Sequence, residues 1–399
     1  MSKKILIITG ESSGELYGSL LAKEIFKKDP SATIKAVGGM KMKEAGVELI
    51  APINSAFGIT EAIRSIISLK NTLNVLKEIM DRDMPDGIVL IDYPDFNFKV
   101  AQEAKKRKIP VLYYVSPQVW AWRPKRVFTI SKIANILALI LPFEKDLYKN
   151  VPIRTEFVGH PVFDEINIFL KSMGFDLSMI NNREFKASIK EAMKIKSDEL
   201  IISLLPGSRK HEVLSLMPSI VESARYLINT YKKIRFVMAI AINLDRSTRL
   251  FIEECIIPIK EYITVFESGA ISALSISDFA IVASGTASFQ SAILNVPMVV
   301  IYKVSPITFF IGRLLVNVKH IALSNVIIEK SFPNSDYMMV KELMQKDVTR
   351  QKITDELDRL INDTGYYQEM LQSFEAVRSL FVDFKASERV ADLFFELIS

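Results

Sequence analysis

KILIITGESSGELYGSLLAKEIFKK, Lys4 to Lys28, is a β-rich apolar run, a Gly/Ser turn and an amphipathic segment in that order, and it decides the fold. The same alternation continues through ATIKAVGG, SIISLKNTLNVLKEIM, GIVLIDY, FKVAQEAKKRK and VLYYVS, at the spacing of parallel βαβ units. After a polar stretch around Ser172 to Glu199 it restarts, with strands predicted in ELIISLLPGS, IRFVMAIA, YITVFES, DFAIVASG and VPMVVIYK. The pattern predicts an α/β protein: two doubly wound parallel-sheet domains in tandem, with a cleft between them and a linker near residues 160–195.

A chain of 399 residues exceeds what one hydrophobic core serves, in keeping with two domains. Hydrophobic residues make up 49% and charged ones 24%, and the mean hydropathy of +0.21 is high enough to raise membrane contact as a question. The longest uncharged run, Phe279 to Tyr302, is broken by Ser, Gly, Thr, Gln, Asn and Pro and reads as strand, loop, helix, strand rather than a span. The N-terminus has too short an apolar run for a signal peptide. A single cysteine, Cys255, excludes an internal disulfide framework and fits the cytosol. The net charge of +5 favours an anionic partner, but basic and acidic residues are interspersed, which disfavours nucleic acid. His160, His211 and His320 lack metal-ligand spacing, so no metal site is indicated, and no GxSxG elbow is present.

In open parallel sheets ligands sit beyond the carboxyl ends of the strands, so the loops there carry the chemistry. TGESSGELYGS, Thr9 to Ser19, is neither GxGxxG nor a P-loop; it reads either as a ligand loop or as a tight turn with Ser12 or Ser13 capping the helix. LPGSRKHE, Leu205 to Glu212, sets Gly207 and Ser208 at a strand end with Arg209 next. A Gly-Ser turn lets backbone approach an anion, and a guanidinium can clamp two phosphate oxygens. SGTASFQ, Ser284 to Gln290, offers Gly285 flanked by Ser284 and Thr286, either a second diphosphate anchor or a plain N-cap. IDYPDFN, Ile91 to Asn97, closes a strand with Asp92 and Asp95; either could be a general base, or both could cap a turn.

Taken in order, GESSGE, IDYPDFN, YYVSPQVWAWRPKRV, LPFEKDLY, FVGHPVFDE, LLPGSRKHEV, SGTAS and PMVVIYKVSPITFFIGRLLV followed by LSN resemble the lipid A disaccharide synthase family, from about residue 4 to residue 327. The block VSPQVWAWRPKR followed by LPFEK and VGHP is the specific part. The resemblance implies a GT-B glycosyltransferase of two Rossmann-like domains that needs neither metal nor cofactor. It would join UDP-2,3-diacylglucosamine to 2,3-diacylglucosamine 1-phosphate, releasing UDP and forming the β(1→6) disaccharide of lipid A, at the cytoplasmic face of the inner membrane. An α-linked donor giving a β linkage is one inverting displacement, which needs a single base and positive groups for the departing UDP.

The implied roles follow the family motifs. Asp92 matches the base and Asp95 is structural; Arg209 neutralises the diphosphate, cradled by Gly207, Ser208, Ser284, Gly285 and Thr286; Asn325, in LSN, matches a residue tied to activity. Ser12, Ser13, Glu15, Arg123, Lys125 and Arg126 are expected on the acceptor side, with the indoles of Trp120 and Trp122 buried and the cations facing the cleft. The acceptor domain is expected over 1–170, completed by a C-terminal helix at 375–399, and the donor domain over 171–374. Exchange of that helix between protomers would give a homodimer. The chain departs from the family at Gln290, where the usual residue is acidic and holds the ribose hydroxyls, at Glu15 for an aspartate, and at Ser324 for the proline of LPN. Glutamine can still hydrogen-bond the ribose hydroxyls as part of the donor site but cannot accept both of them. Ile63 to Met80 and Ser305 to His320 mix apolar and basic residues, as at a lipid interface, though the first also fits an ordinary core-facing helix. A UDP-sugar 2-epimerase of the same fold and a non-catalytic nucleotide or lipid binder are the rival readings.

Overall fold

In the computed structural model the chain is described over residues 2–52, 59–181, 184–193, 195, 199–267, 269–305, 309 and 319–399, with backbone alone over 59–67. It divides into two units, Met1–Asp164 with Asp383–Ser399, and Glu165–Val382.

Among the described residues the first unit carries a parallel sheet of β1 (Lys4–Ile8), β2 (Thr33–Gly38), β3 (Glu48–Pro52), β4 (Gly87–Ile91), β5 (Val111–Tyr114), β6 (Ile136–Leu139) and β7 (Arg154–Phe157), in the order β3-β2-β1-β4-β5-β6-β7. The central strands are buried on both faces: every residue of β4, β5 and β6 is buried, as Val/Ile/Leu-rich parallel strands require. Strand order reverses between β1 and β4, which pair Ile5↔Gly87 through Ile8↔Leu90. That reversal is the switch point where a doubly wound sheet opens a ligand crevice, and it puts the ends of GESSG and IDYPD side by side.

The helix Ala386–Leu397 belongs to this unit and buries Val390, Ala391, Leu393 and Phe394. A Cβ on Gly87 would stand 2.9 Å from Phe394 Cζ, so β4 can begin under that ring only with glycine. Arg154–Glu396 at 2.7 Å and Lys28–Asp392 at 2.6 Å add ion pairs at its edge.

The second unit has β8 (Leu200–Leu205), β9 (Ile234–Ala239), β10 (Ile263–Phe266), β11 (Phe279–Ala283), β12 (Met298–Tyr302) and β13 (Lys341–Met344), all parallel, in the order β10-β9-β8-β11-β12-β13. Its switch point lies between β8 and β11, paired Phe279↔Ile202 through Val282↔Leu205, so the loops LPGSR and SGTAS emerge as neighbours.

Four strands are absent from the sequence expectation: β3, β6, β7 and β13. Three are edge strands, β7 (RTEF) and β13 (KELM) half or more polar and β3 (ELIAP) a short run closed by a proline, and β6 is hidden inside the longer apolar run NILALILP. The described half of the Ile63–Met80 stretch turns Leu76, Ile79 and Met80 into the first unit's core, the core-facing alternative. Apart from Ser305, Phe309, Lys319 and His320, the Ser305–His320 stretch lies outside the described residues. No helix among the described residues is long and apolar enough to cross a membrane.

Candidate active site

At the first switch point the chain after β4 turns through two consecutive left-handed residues, Asp92 at φ 49° and Tyr93 at φ 50°. Non-glycine residues hold that conformation only when their surroundings compel it, at a cost of about 1–3 kcal/mol each. Here the compulsion is visible. The Asp92 N–H donates to the Tyr114 carbonyl at 3.1 Å, while the Asp92 carbonyl accepts from the Asn97 amide at 2.7 Å and the Tyr113 hydroxyl at 2.8 Å. Asn97 is fully buried, and Pro94 starts the helix Pro94–Lys106 that carries it. The Tyr93 ring lies on Gly10, where a Cβ would come within 2.0 Å of Tyr93 Cγ. The Asp92 carboxyl is pushed up to about 6 by burial and, secondarily, by the negative charge of Glu11. A partly buried carboxyl with that proton affinity is poised to take a proton near neutral pH.

Asp95 is different. It is exposed and paired with Arg126 at 2.5 Å and Arg123 at 3.8 Å. Both guanidinium groups also stack on Trp122, at 4.4 Å for Arg123 and 5.4 Å for Arg126, and Arg126 lies 5.1 Å from the Phe98 ring. The indole half of the expected division of labour is corrected, since Trp120 and Trp122 are both half-buried, while Arg123 is exposed. Trp122 is a half-buried platform for two arginines already paired with Asp95; Lys125 is exposed.

Trp120 meets Phe143 edge-on at 5.5 Å. Its buried indole N–H has no hydrogen bond of ordinary geometry, yet it favours the charged form of Glu144. Glu144 is buried, accepts from the Ile140 and Leu141 N–H groups, and is pushed up to about 8 by desolvation.

Ser12 and Ser13 are not caps: the helix Ser12–Lys28 begins at Ser12, with Glu11 at the N-cap. Glu15 accepts from the Lys41 N–H at 2.8 Å and packs on Gly39, so its carboxylate anchors the turn after β2.

In the second unit Gly207 sits at φ 105°, where glycine is needed twice over, since a Cβ would also stand 2.4 Å from a Glu212 carboxylate oxygen. That carboxylate accepts from the Ser208 and Arg209 N–H groups, each at 3.2 Å, and lies 3.6 Å from the Arg209 guanidinium. The sequence expectation gave these amides to a phosphate; the structure gives them to Glu212, with Arg209 half exposed beside it. Tyr302, at the end of β12, is half-buried, and its hydroxyl feels both Glu212 and Arg209.

After β11, the Ser284 hydroxyl donates to the Ile321 carbonyl at 3.0 Å, so it braces the loop. Gly285, at φ 149°, and Thr286 are exposed at the start of the helix Thr286–Ile293. The far end of this helix is held by the buried Arg378, which donates to the Ala292 carbonyl at 3.1 Å and to Asn295. A cation at the negative end of the dipole leaves the positive end to an anion. Gln290, one turn into the helix and 6% exposed, donates to the Glu165 carboxylate at 2.9 Å.

Asn325 is fully buried. Its amide donates to the Val340 carbonyl at 2.9 Å and to Glu342 at 2.8 Å, and its oxygen accepts from the Val340 N–H at 2.8 Å. Glu342 also receives the Ile321 and Ala322 N–H groups at 3.0 Å. These bonds make Asn325 a staple for the segment next to Ser284. Glu11, Asn97, Glu165, Glu212, Tyr302 and Glu342 were not singled out from sequence. Only Glu212 left a signal, as an acid in the first turn of a helix after Gly-Ser.

The family model described as Lipid-A-disaccharide synthetase matches residues 5–388. The curated lipid-A-disaccharide synthase of Geobacter sulfurreducens is 32% identical over 399 residues, covering 100% of this chain and 98% of that protein. That of Syntrophus aciditrophicus is 34% identical over 399 residues, with coverage of 100% and 98%. Among solved structures, the UDP-GlcNAc 2-epimerase from Neisseria meningitidis bound to UDP-GlcNAc superposes with TM-score 0.64 at 14% identity, covering 98% of both chains. MurG from Acinetobacter baumannii superposes with TM-score 0.54 at 13% identity, covering 99% of both. At such identity these two likenesses speak to the fold alone.

Proposed function

The chain belongs to the lipid-A-disaccharide synthetase family, a glycosyltransferase of lipid A biosynthesis, and from that premise we propose how its residues divide the reaction. The first unit binds the diacylglucosamine 1-phosphate acceptor, and the second binds the UDP-linked diacylglucosamine. Asp92 removes the proton from the acceptor 6-hydroxyl as its oxygen attacks the donor anomeric carbon. The bond from that carbon to the diphosphate oxygen breaks, and the electron pair leaves with UDP. Asp92 ends protonated and the anomeric configuration inverts. The single observation that supports this base assignment is the Asp92 carboxyl, held at the β1/β4 switch point and pushed up to about 6.

The charge developing on the diphosphate is met by Arg209 and by the open N-terminus at Gly285 and Thr286, whose dipole is backed by Arg378 at the other end. Asn325, Glu212 and Ser284 are positioning residues: each holds a loop at the strand ends rather than touching the reacting atoms. Glu15, with Ser12 and Ser13 in the same helix turn, shapes the acceptor side. Arg123, Lys125 and Arg126 give that side a cationic rim for the sugar 1-phosphate. Peripheral attachment to the cytoplasmic face of the inner membrane is supported by two diacylated substrates, a net charge of +5 and a mean hydropathy of +0.21. Helix Ala386–Leu397, exchanged between protomers, would supply a homodimer contact.

The test is incubation with UDP-2,3-diacylglucosamine alone and together with 2,3-diacylglucosamine 1-phosphate. UDP and a disaccharide should appear only with both. An epimerised sugar nucleotide from the donor alone would replace the transferase with the isomerase reading.

A further inference from the structure

Gln290 and Glu165 form a pair that the mechanism above leaves unused. Gln290 lies four residues beyond Thr286, on the same face of the helix Thr286–Ile293, and helical side chains tilt toward the N-terminus. Its amide therefore sits about one turn, roughly 5 Å, below the N–H groups at Gly285 and Thr286. A nucleoside diphosphate whose phosphates occupy that helix end carries its ribose, bonded directly to the α-phosphate, over the next turn.

Two vicinal ribose hydroxyls are hydrogen-bond donors in search of acceptors. A carboxylate accepts from both at once, whereas an amide has a single carbonyl and two N–H groups that a hydroxyl pair matches poorly. The Gln290 Nε2 is committed to Glu165 at 2.9 Å, an orientation fixed by chemistry because the amide oxygen would repel a carboxylate. The Gln290 carbonyl is thereby turned away from Glu165, and a carboxylate with several acceptor sites stands beside it.

We propose that Glu165, oriented by the buried Gln290 amide, is the residue that recognises the ribose diol of the donor nucleotide. It supplies from the helix Pro161–Ser172 the negative charge that position 290 lacks. The assignment rests on the UDP-sugar reading of the second unit and adds its nucleotide-specificity residue.

The test is calorimetric titration of the full chain with UDP and with 2′,3′-dideoxy-UDP, which keeps base and phosphates but lacks both hydroxyls. Wild type should prefer UDP by about tenfold or more, the worth of hydrogen bonds to a charged acceptor. Glu165→Gln should bring the two affinities within about threefold, chiefly by weakening UDP. The exchange Glu165→Gln with Gln290→Glu keeps one amide and one carboxylate and should restore the preference, which also guards against a fold defect in the single variant. Retention of the full preference by Glu165→Gln, or an equal loss for both nucleotides, would show a mere structural pin and overturn the assignment while leaving the transferase reading standing. A wild-type chain that binds neither nucleotide would overturn both.

Discussion

Asp92 owes its proton affinity to its place: a left-handed turn at the end of a buried strand, with Glu11 as a like-charged neighbour. The sign follows directly. A general base works deprotonated, so kcat/KM should fall about tenfold per unit as pH drops below about 6 and level off above it. Glu11→Gln removes a charge that opposes ionisation and should move that midpoint lower. A profile flat from pH 5 to 8, or a midpoint unmoved by Glu11→Gln, would argue for another base or another source of the shift. The two aspartates of IDYPDFN were indistinguishable as chemistry in sequence. Their difference is tertiary, since Asp95 meets Arg126 and Arg123 while Asp92 meets a buried floor of Tyr113, Tyr114 and Asn97. The same holds for Trp122, whose role as a platform for two arginines depends on where Asp95 draws them.

Among the elements, helix starts and loop braces account for most of what sequence reading missed. Glu15, Glu212 and Glu342 each spend a carboxylate on backbone N–H groups near a strand end. In each case a loop is shaped by an internal anion before any ligand arrives. Their partners lie in other segments or depend on a glycine's φ, so spacing alone does not reveal them. Asn325 makes the point testable. Its loss strands the Val340 N–H and C=O and part of Glu342, so Asn325→Ala should destabilise the chain by about 2–4 kcal/mol and lower Tm by several degrees. Activity at low temperature should be lost in proportion to the folded fraction and to donor KM. An unchanged Tm with abolished kcat would return Asn325 to the chemistry. Most central, apolar strands were legible; β6 was not, because its four residues sit inside the longer apolar run NILALILP. The edges β7 (RTEF) and β13 (KELM) were not, because half or more of their residues are polar, and β3 (ELIAP) is only five residues long and closes on a proline.

For the whole molecule, the repeated strand–loop–helix pattern was enough to read two parallel-sheet units, and the motif order was enough to read the family. The order of strands within each sheet was not legible, and that order brings GESSG beside IDYPD and LPGSR beside SGTAS. The proposed peripheral membrane attachment belongs to this scale too. The chain should sediment with vesicles containing anionic lipid and be released as salt rises, since attraction of a +5 protein to such a surface is screened. Failure to sediment at low salt, even with diacylated substrate in the vesicles, would contradict it. The proposed reaction depends most on the Asp92 carboxyl. Asp92→Asn keeps the size and the backbone bonds of the turn while removing the base, and turnover and UDP affinity measured on the same sample separate chemistry from binding. With Asp92 as the base, UDP affinity should stay within about twofold of wild type while turnover falls by about 100- to 10,000-fold; near-normal turnover in Asp92→Asn would remove Asp92 as the base.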